Sequence, residues 1–221
     1  MTGKTKNCRI MIVDDHPIFC LGMTELINKE PDLLVADCKD TADKAWDAVK
    51  KTLPDLMIVD ISLAESNGID LVEDISREYP HLPILVLSMY DDSMYAERAL
   101  LAGARGYVMK QRAISKVVTA IRHVLAGNVY ASDQIKEKMI HRMINRKSPK
   151  TGFNLDELTN RELEVFRLIG DGLDSKEIAI RLNLSMKTIG THRENIKKKL
   201  NLKHYTELVK VAVHWAHKMK K

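Results

Sequence analysis

Three acids in this 221-residue chain stand where short apolar runs end. Leu56, Met57, Ile58 and Val59, bounded by Pro54 and by a polar segment closing at Gly68, read as a strand buried on both faces that ends in Asp60. The run from Cys8 to Val13 reads the same way and ends in Asp14 and Asp15. In an open parallel sheet the carboxyl ends of the strands are where chemistry gathers, so the three carboxylates are expected to converge. Carboxylates that close repel one another and stay protonated unless a cation joins them, and a hard, oxygen-preferring ion such as Mg²⁺ is the natural partner. Ser88, after Ile84–Leu87, and Lys110, after Tyr107–Met109, add a hydroxyl and an ammonium at two further strand ends.

The elements that must position these groups alternate through the first half. Pro17 is placed as a first helical residue, with apolar residues at helical spacing up to Asn28. Leu33–Ala36 reads as a second strand, and Ala45, Trp46 and Val49 share one side of a helix over Thr41–Lys50. A helix after Gly68 uses Ile69, Leu71, Val72 and Ile75; two more are expected at 92–102 and 115–126, the last stopped by Gly127 and Asn128. Five strand-then-helix units in about 120 residues imply an α/β fold, a doubly wound five-stranded parallel sheet.

With acids after the first and third strands, Ser88 after the fourth and Tyr107-Val-Met-Lys110 on the fifth, residues 7–127 resemble the flavodoxin-like receiver domain of bacterial response regulators. The resemblance implies that Asp60 accepts a phosphoryl group from the phosphohistidine of a sensor histidine kinase. It implies Mg²⁺ held by Asp15, Asp60 and the backbone carbonyl of Ser62, with Asp14 helping through water. It also makes Ser88, Tyr107 and Lys110 the switch residues. The chemistry agrees: a carboxylate nucleophile forms an acyl phosphate, and Lys110 can pair with a phosphoryl oxygen. One departure is Leu63-Ala64 where the family usually has Met-Pro, which predicts a more mobile loop beside Asp60.

The second half opens on helix starts. Thr159-Asn-Arg-Glu162 and Asp174-Ser-Lys-Glu177 are capping boxes, and Ser185 is an N-cap for a third helix. Val165, Phe166 and Ile169, then Ile178, Ala179 and Leu182, then Ile189, Ile196 and Leu200 can close one core, joined by Leu208, Val211, Ala212 and Trp215 from a fourth helix. Residues 155–219 are similar to the helix-turn-helix output domain of NarL/LuxR (FixJ) regulators, an all-α domain of four helices. The resemblance makes Met186–Leu200 the recognition helix and Tyr205–Lys218 a dimerisation surface. Lys187, Thr191, Glu194 and Lys198 lie opposite the apolar seam, and Thr188 and Gly190 complete the candidate DNA-contacting set. Gly190 stands where many relatives carry a long polar side chain.

Charge divides the chain the same way. Residues 1–130 carry 15 Lys+Arg against 19 Asp+Glu, residues 131–221 carry 20 against 11, so only the second half is suited to a polyanion. Between them, 128–154 reads as a linker, with a short amphipathic helix at 134–144 carrying Ile135, Met139 and Met143 on one side. Cys8, Cys20 and Cys38 lack metal-ligand spacing and read as small buried hydrophobes. With no long apolar run, a cytoplasmic protein without a membrane partner is expected.

These features predict a two-domain transcriptional response regulator. It would bind promoter DNA as a homodimer, with RNA polymerase a further partner, and would not be an enzyme. The alternatives are a constitutive DNA-binding regulator whose receiver is a dimer platform, and an aspartyl-phosphate phosphatase. The second is disfavoured because its paired acids follow a single strand, whereas Asp14-Asp15 and Asp60 sit on different ones.

Overall fold

The structure, a computed structural model, describes residues 7–64, 66–89, 93–144 and 154–219, and the chain divides into two compact units, 1–144 and 145–221. The expected linker segment at 145–153 lies outside the described residues.

In the first unit β1 (Cys8–Val13), β2 (Leu33–Lys39), β3 (Leu56–Asp60), β4 (Ile84–Ser88) and β5 (Gly106–Met109) form one parallel sheet in the order β2-β1-β3-β4-β5. Between and after them run α1 (Pro17–Ile27), α2 (Ala42–Lys51), α3 (Gly68–Glu78), α4 (Ser93–Leu101) and α5 (Lys110–Leu125). Every residue of β3 and β4 is buried, as continuous apolar runs in the middle of a two-faced sheet must be. The chain winds one way from β1 to β2 and the other way from β3 onward, which opens a crevice at the carboxyl ends of β1 and β3.

The structure departs from the sequence-based expectations at the sheet edges. β2 continues past Ala36 to Lys39, with a register shift at Ile10/Met11; as an edge strand it alternates half-buried and exposed residues, so its outer part carries no apolar run. α5 begins at Lys110 rather than Ser115, directly after β5, because Gln111–Ile114 contains no helix breaker. Only Cys20 of the three cysteines is buried; Cys8 is half-buried and Cys38, on the outer part of β2, is exposed. Burial pushes the Cys8 thiol up to about 11 and, helped by the nearby Asp14 charge, the Cys20 thiol up to about 12, far from a reactive thiolate.

The segment after α5 belongs to the first unit. Tyr107 N–H donates to the Tyr130 carbonyl at 2.8 Å and Tyr130 N–H to the Arg105 carbonyl at 2.9 Å, so Tyr130 bridges to the open edge of β5. α6 (Asp133–Ile144) then packs on α4, with Ile135 buried and Met139 half-buried; the Met143 side chain lies outside the described residues.

In the second unit a single 3₁₀ turn at Leu155–Glu157 precedes α7 (Asn160–Gly170), α8 (Ser175–Arg181), α9 (Met186–Lys199) and α10 (Tyr205–Met219). Both capping boxes form, with Thr159 and Glu162 on α7 and Asp174 and Glu177 on α8. Phe166, Ile178, Ile189, Ile196, Leu208 and Ala212 are fully buried and close one core. Gly170 ends α7 where a Cβ would stand 2.5 Å from the Ala212 carbonyl oxygen, so only glycine lets α10 cross this close. The left-handed turn after α7 is made one residue pair later, at Gly172 with φ +90°.

Candidate functional site

Strand register brings the acids together. Val13 pairs with Val59, Asp60 with Leu87 and Ser88 with Met109, so Asp14, Asp60, Ser88 and Lys110 all emerge at one edge of the sheet. All four are buried, Asp60 to 2% exposure. Lys110 Nζ stands 2.6 Å from Asp14 Oδ2 and 2.7 Å from Asp60 Oδ2, and 4.5 Å above the Phe19 ring. Burial opposes the Lys110 ammonium, but the Asp60 and Asp14 charges outweigh it and hold its pKa above the ordinary lysine value. Burial pushes Asp60 up to about 7, with Lys110 pulling the other way and Asp14 and Asp15 adding to the rise.

One carboxylate oxygen each of Asp14, Asp15 and Asp60, with a His16 ring nitrogen, lie within 4.8 Å of one another. Asp15 Oδ1 is buried and makes no hydrogen bond, although His16 Nδ1 is 2.8 Å away outside hydrogen-bond geometry. A cluster of hard oxygen donors with one buried lone pair unsatisfied fits a small divalent cation such as Mg²⁺. The sequence carries no signal for His16 or Phe19, since nothing distinguishes a histidine or phenylalanine at the start of a helix.

The loop after Asp60 is tied back onto β3. Gly68 N–H donates to the Ile61 carbonyl at 2.7 Å, Ser66 N–H to Ala64 at 2.9 Å, and Ser62 and Asn67 form an isolated bridge. Ile61 and Leu63 are buried and Asn67 Oδ1 caps α3 by accepting from Ile69 N–H. A Cβ on Gly68 would lie 1.8 Å from the Asp60 carbonyl oxygen, a contact that only glycine avoids. Tyr107 is buried on β5, opposite Val86.

On α9, Ile189 and Ile196 face the core while Lys187, Thr191, Glu194 and Lys198 are exposed. Thr191 Oγ1 donates back to the Lys187 carbonyl at 3.1 Å, so its hydroxyl is engaged on the helix itself. Glu194 pairs with Lys197 at 2.9 Å. Thr188 is half-buried at the cap, its N–H donating to Ser185 Oγ at 3.0 Å. Gly190 is half-buried on the helix, and a Cβ there would meet nothing within 4 Å, so packing does not require glycine.

Polar contacts from the neighbouring helices hold α9 and the turn before it. Arg193 donates to Ser175 Oγ at 2.6 Å while its guanidinium lies 3.5 Å from the Tyr205 ring centroid, joining α8, α9 and α10. Lys199 Nζ reaches the buried Glu162 at 2.6 Å. Burial works against the Glu162 charge, yet Lys199 and the Thr159 cap outweigh it and hold its pKa below the ordinary glutamate value. Arg161 pairs with the fully buried Glu164 at 2.8 Å and donates to the Leu182 carbonyl at the turn before α9. Glu162 was legible in the sequence as a cap, but its second role was not, because Lys199 lies far along the chain.

A parallel α/β unit with an acidic pocket at its switch point, followed by a capped helix-turn-helix unit, defines a signal-receiving DNA-binding protein. The sequence matches the response regulator receiver domain over residues 10–122 and the luxR family of bacterial regulatory proteins over 156–212. The chain belongs to the two-component response regulators with a LuxR-type output domain, and is a phosphorylation-switched transcription regulator. It is 32% identical over 209 residues to the oxygen regulatory protein NreC of Staphylococcus carnosus, covering 93% of this chain and 96% of that one. To the transcriptional regulatory protein DegU of Brevibacillus brevis it is 33% identical over 215 residues, 91% of each. Among solved structures it resembles RcsB of Salmonella enterica serovar Typhimurium bound to a promoter in the presence of phosphomimetic BeF₃⁻, with TM-score 0.60 and 25% identity over 94% of this chain and 98% of that one. Among the described residues no helix is long and apolar enough to cross a membrane.

Proposed function

We propose that Asp60 is the phosphoacceptor through which a cognate sensor histidine kinase switches this cytoplasmic chain, as a homodimer, onto promoter DNA. The observation that carries the reading is the buried Asp60 carboxylate 2.7 Å from Lys110, beside two further acids at one sheet edge. An Asp60 oxygen attacks the phosphorus of a phosphohistidine, the new P–O bond replacing the P–N bond as the imidazole leaves and takes a proton. Asp15, Asp60 and the Ser62 carbonyl, with Asp14 behind them, would hold Mg²⁺, which offsets the charge on the transferring group. Lys110 exchanges its pairing with Asp60 for a phosphoryl oxygen, and the Ser88 hydroxyl donates to another. Tyr107 then couples the pocket to the β5 edge.

In the output unit, α9 enters the major groove with Lys187 and Lys198 on phosphates and Thr191 and Glu194 toward bases. α10 supplies the dimer surface. The test is to treat the full chain with acetyl phosphate and Mg²⁺ and map the product by mass. One phosphoryl group on Asp60, with a rise in affinity for selected duplexes, is expected. A label on any other residue overturns the assignment, and repeated turnover of excess phosphoester points to the phosphatase reading.

A further inference from the structure

Met186 is 54% exposed, the one large hydrophobic side chain that the described part of α9 presents to solvent. It occupies the first turn, the end that a groove-reading helix brings nearest the bases. One turn on, at i+4 and therefore on the same side of the helix, Gly190 offers no side chain and open space where a Cβ would be. Neither feature serves the fold: Met186 is not packed in the core, and glycine is a poor helix former where a Cβ would meet no neighbour. Lys187, Thr191 and Glu194 border the pair, so an apolar notch interrupts an otherwise polar face.

We infer that Met186 and the space over Gly190 form a notch that receives the 5-methyl group of a thymine, making Met186 a specificity-determining residue. The major groove displays that methyl as its single apolar mark, and a flexible thioether side chain can close over it without a polar group to desolvate. The inference rests on the assignment of α9 as the helix that reads DNA. Thr191 offers a second methyl contact on the neighbouring face, so the two must be told apart.

The experiment selects duplexes from random DNA with the full-length chain treated with acetyl phosphate and Mg²⁺, its labelling checked by intact mass, then replaces thymidine by deoxyuridine one position at a time, which removes only the methyl. For the parent and for Thr191→Ser, one position per half-site should lose about fourfold in affinity, the scale of one buried methyl. In Met186→Ala, and in Gly190→Lys, whose side chain fills the notch, that position should become indifferent to the replacement while overall binding persists. A parent chain insensitive to deoxyuridine, or a sensitivity that survives Met186→Ala, overturns the inference and leaves the α9 assignment standing. If no sequence is enriched at all, the assignment of α9 fails and the notch with it.

Discussion

Asp60 sits at 2% exposure among groups delivered by four strand ends, whereas the polar face of α9 comes from a single helix and points into solvent. In the pocket each charge is desolvated and answered by another, Lys110 against Asp14 and Asp60, so removing one member leaves the rest uncompensated. On the exposed face of α9 the charges are hydrated and screened, so the loss of one costs little. Substitutions in the pocket should therefore act as switches, and those on α9 as graded adjustments.

The largest effect tests the pocket. Asp60→Asn should abolish labelling by acetyl phosphate outright, measured by intact mass, because the substitution removes the proposed nucleophilic carboxylate at the end of the central strand β3. Asp15→Ala should remove the Mg²⁺ dependence together with the activity, since its unsatisfied oxygen is a proposed metal ligand. Labelling that survives Asp60→Asn would erase the contrast between the two regions.

Next is the link out of the pocket. Lys110→Ala and Ser88→Ala should keep some labelling but lose about tenfold in the phosphorylation-dependent gain in DNA affinity, the usual scale of allosteric coupling. Binding titrations of labelled and unlabelled protein give the number. A full response in both variants would show that the signal does not pass through these side chains.

How far each region could be read from sequence follows the same division. The acids, Ser88 and Lys110 were legible because each ends an apolar run, and strand ends meet in a parallel sheet whatever the details. Partners that arise only from three-dimensional approach were not: the Phe19 ring over Lys110, Gly68 against the Asp60 carbonyl, Arg193 between Ser175 and Tyr205. The end of β2 and the start of α5 carry no mark in the sequence, because an edge strand alternates and a strand can pass into a helix without a loop. Helix α9 was the easier half, since caps and a 3.6-residue period are local properties.

On α9 itself, Glu194→Ala should relax preference at one base pair per half-site by about 1 to 3 kcal/mol while keeping or raising non-specific affinity. Lys198→Ala should weaken binding to all sequences alike and make the salt dependence shallower by about one unit. Competition titrations at several salt concentrations separate the two. If Glu194→Ala lowers every affinity equally, its ion pair with Lys197 is its role, and the placement of the helix has to change.

Gly190→Ala should give the smallest effect, with two opposite signs. A Cβ there meets nothing within 4 Å, so the folded state accepts the methyl without strain, and the helix gains about 1 kcal/mol from alanine's better propensity. Denaturant unfolding of the full chain in a Trp46→Phe background reads this directly, because the chain has two tryptophans and Trp215, 5.6 Å from Phe166, then reports on the output unit alone. Affinity for the selected duplex should fall, because the same methyl intrudes where the helix meets the base edge. Higher stability with lower affinity identifies glycine kept for DNA at the expense of the fold. Higher stability with unchanged affinity would mean instead that the position makes no contact with DNA, and would sharpen the contrast with Gly68, where a Cβ would strike the Asp60 carbonyl itself.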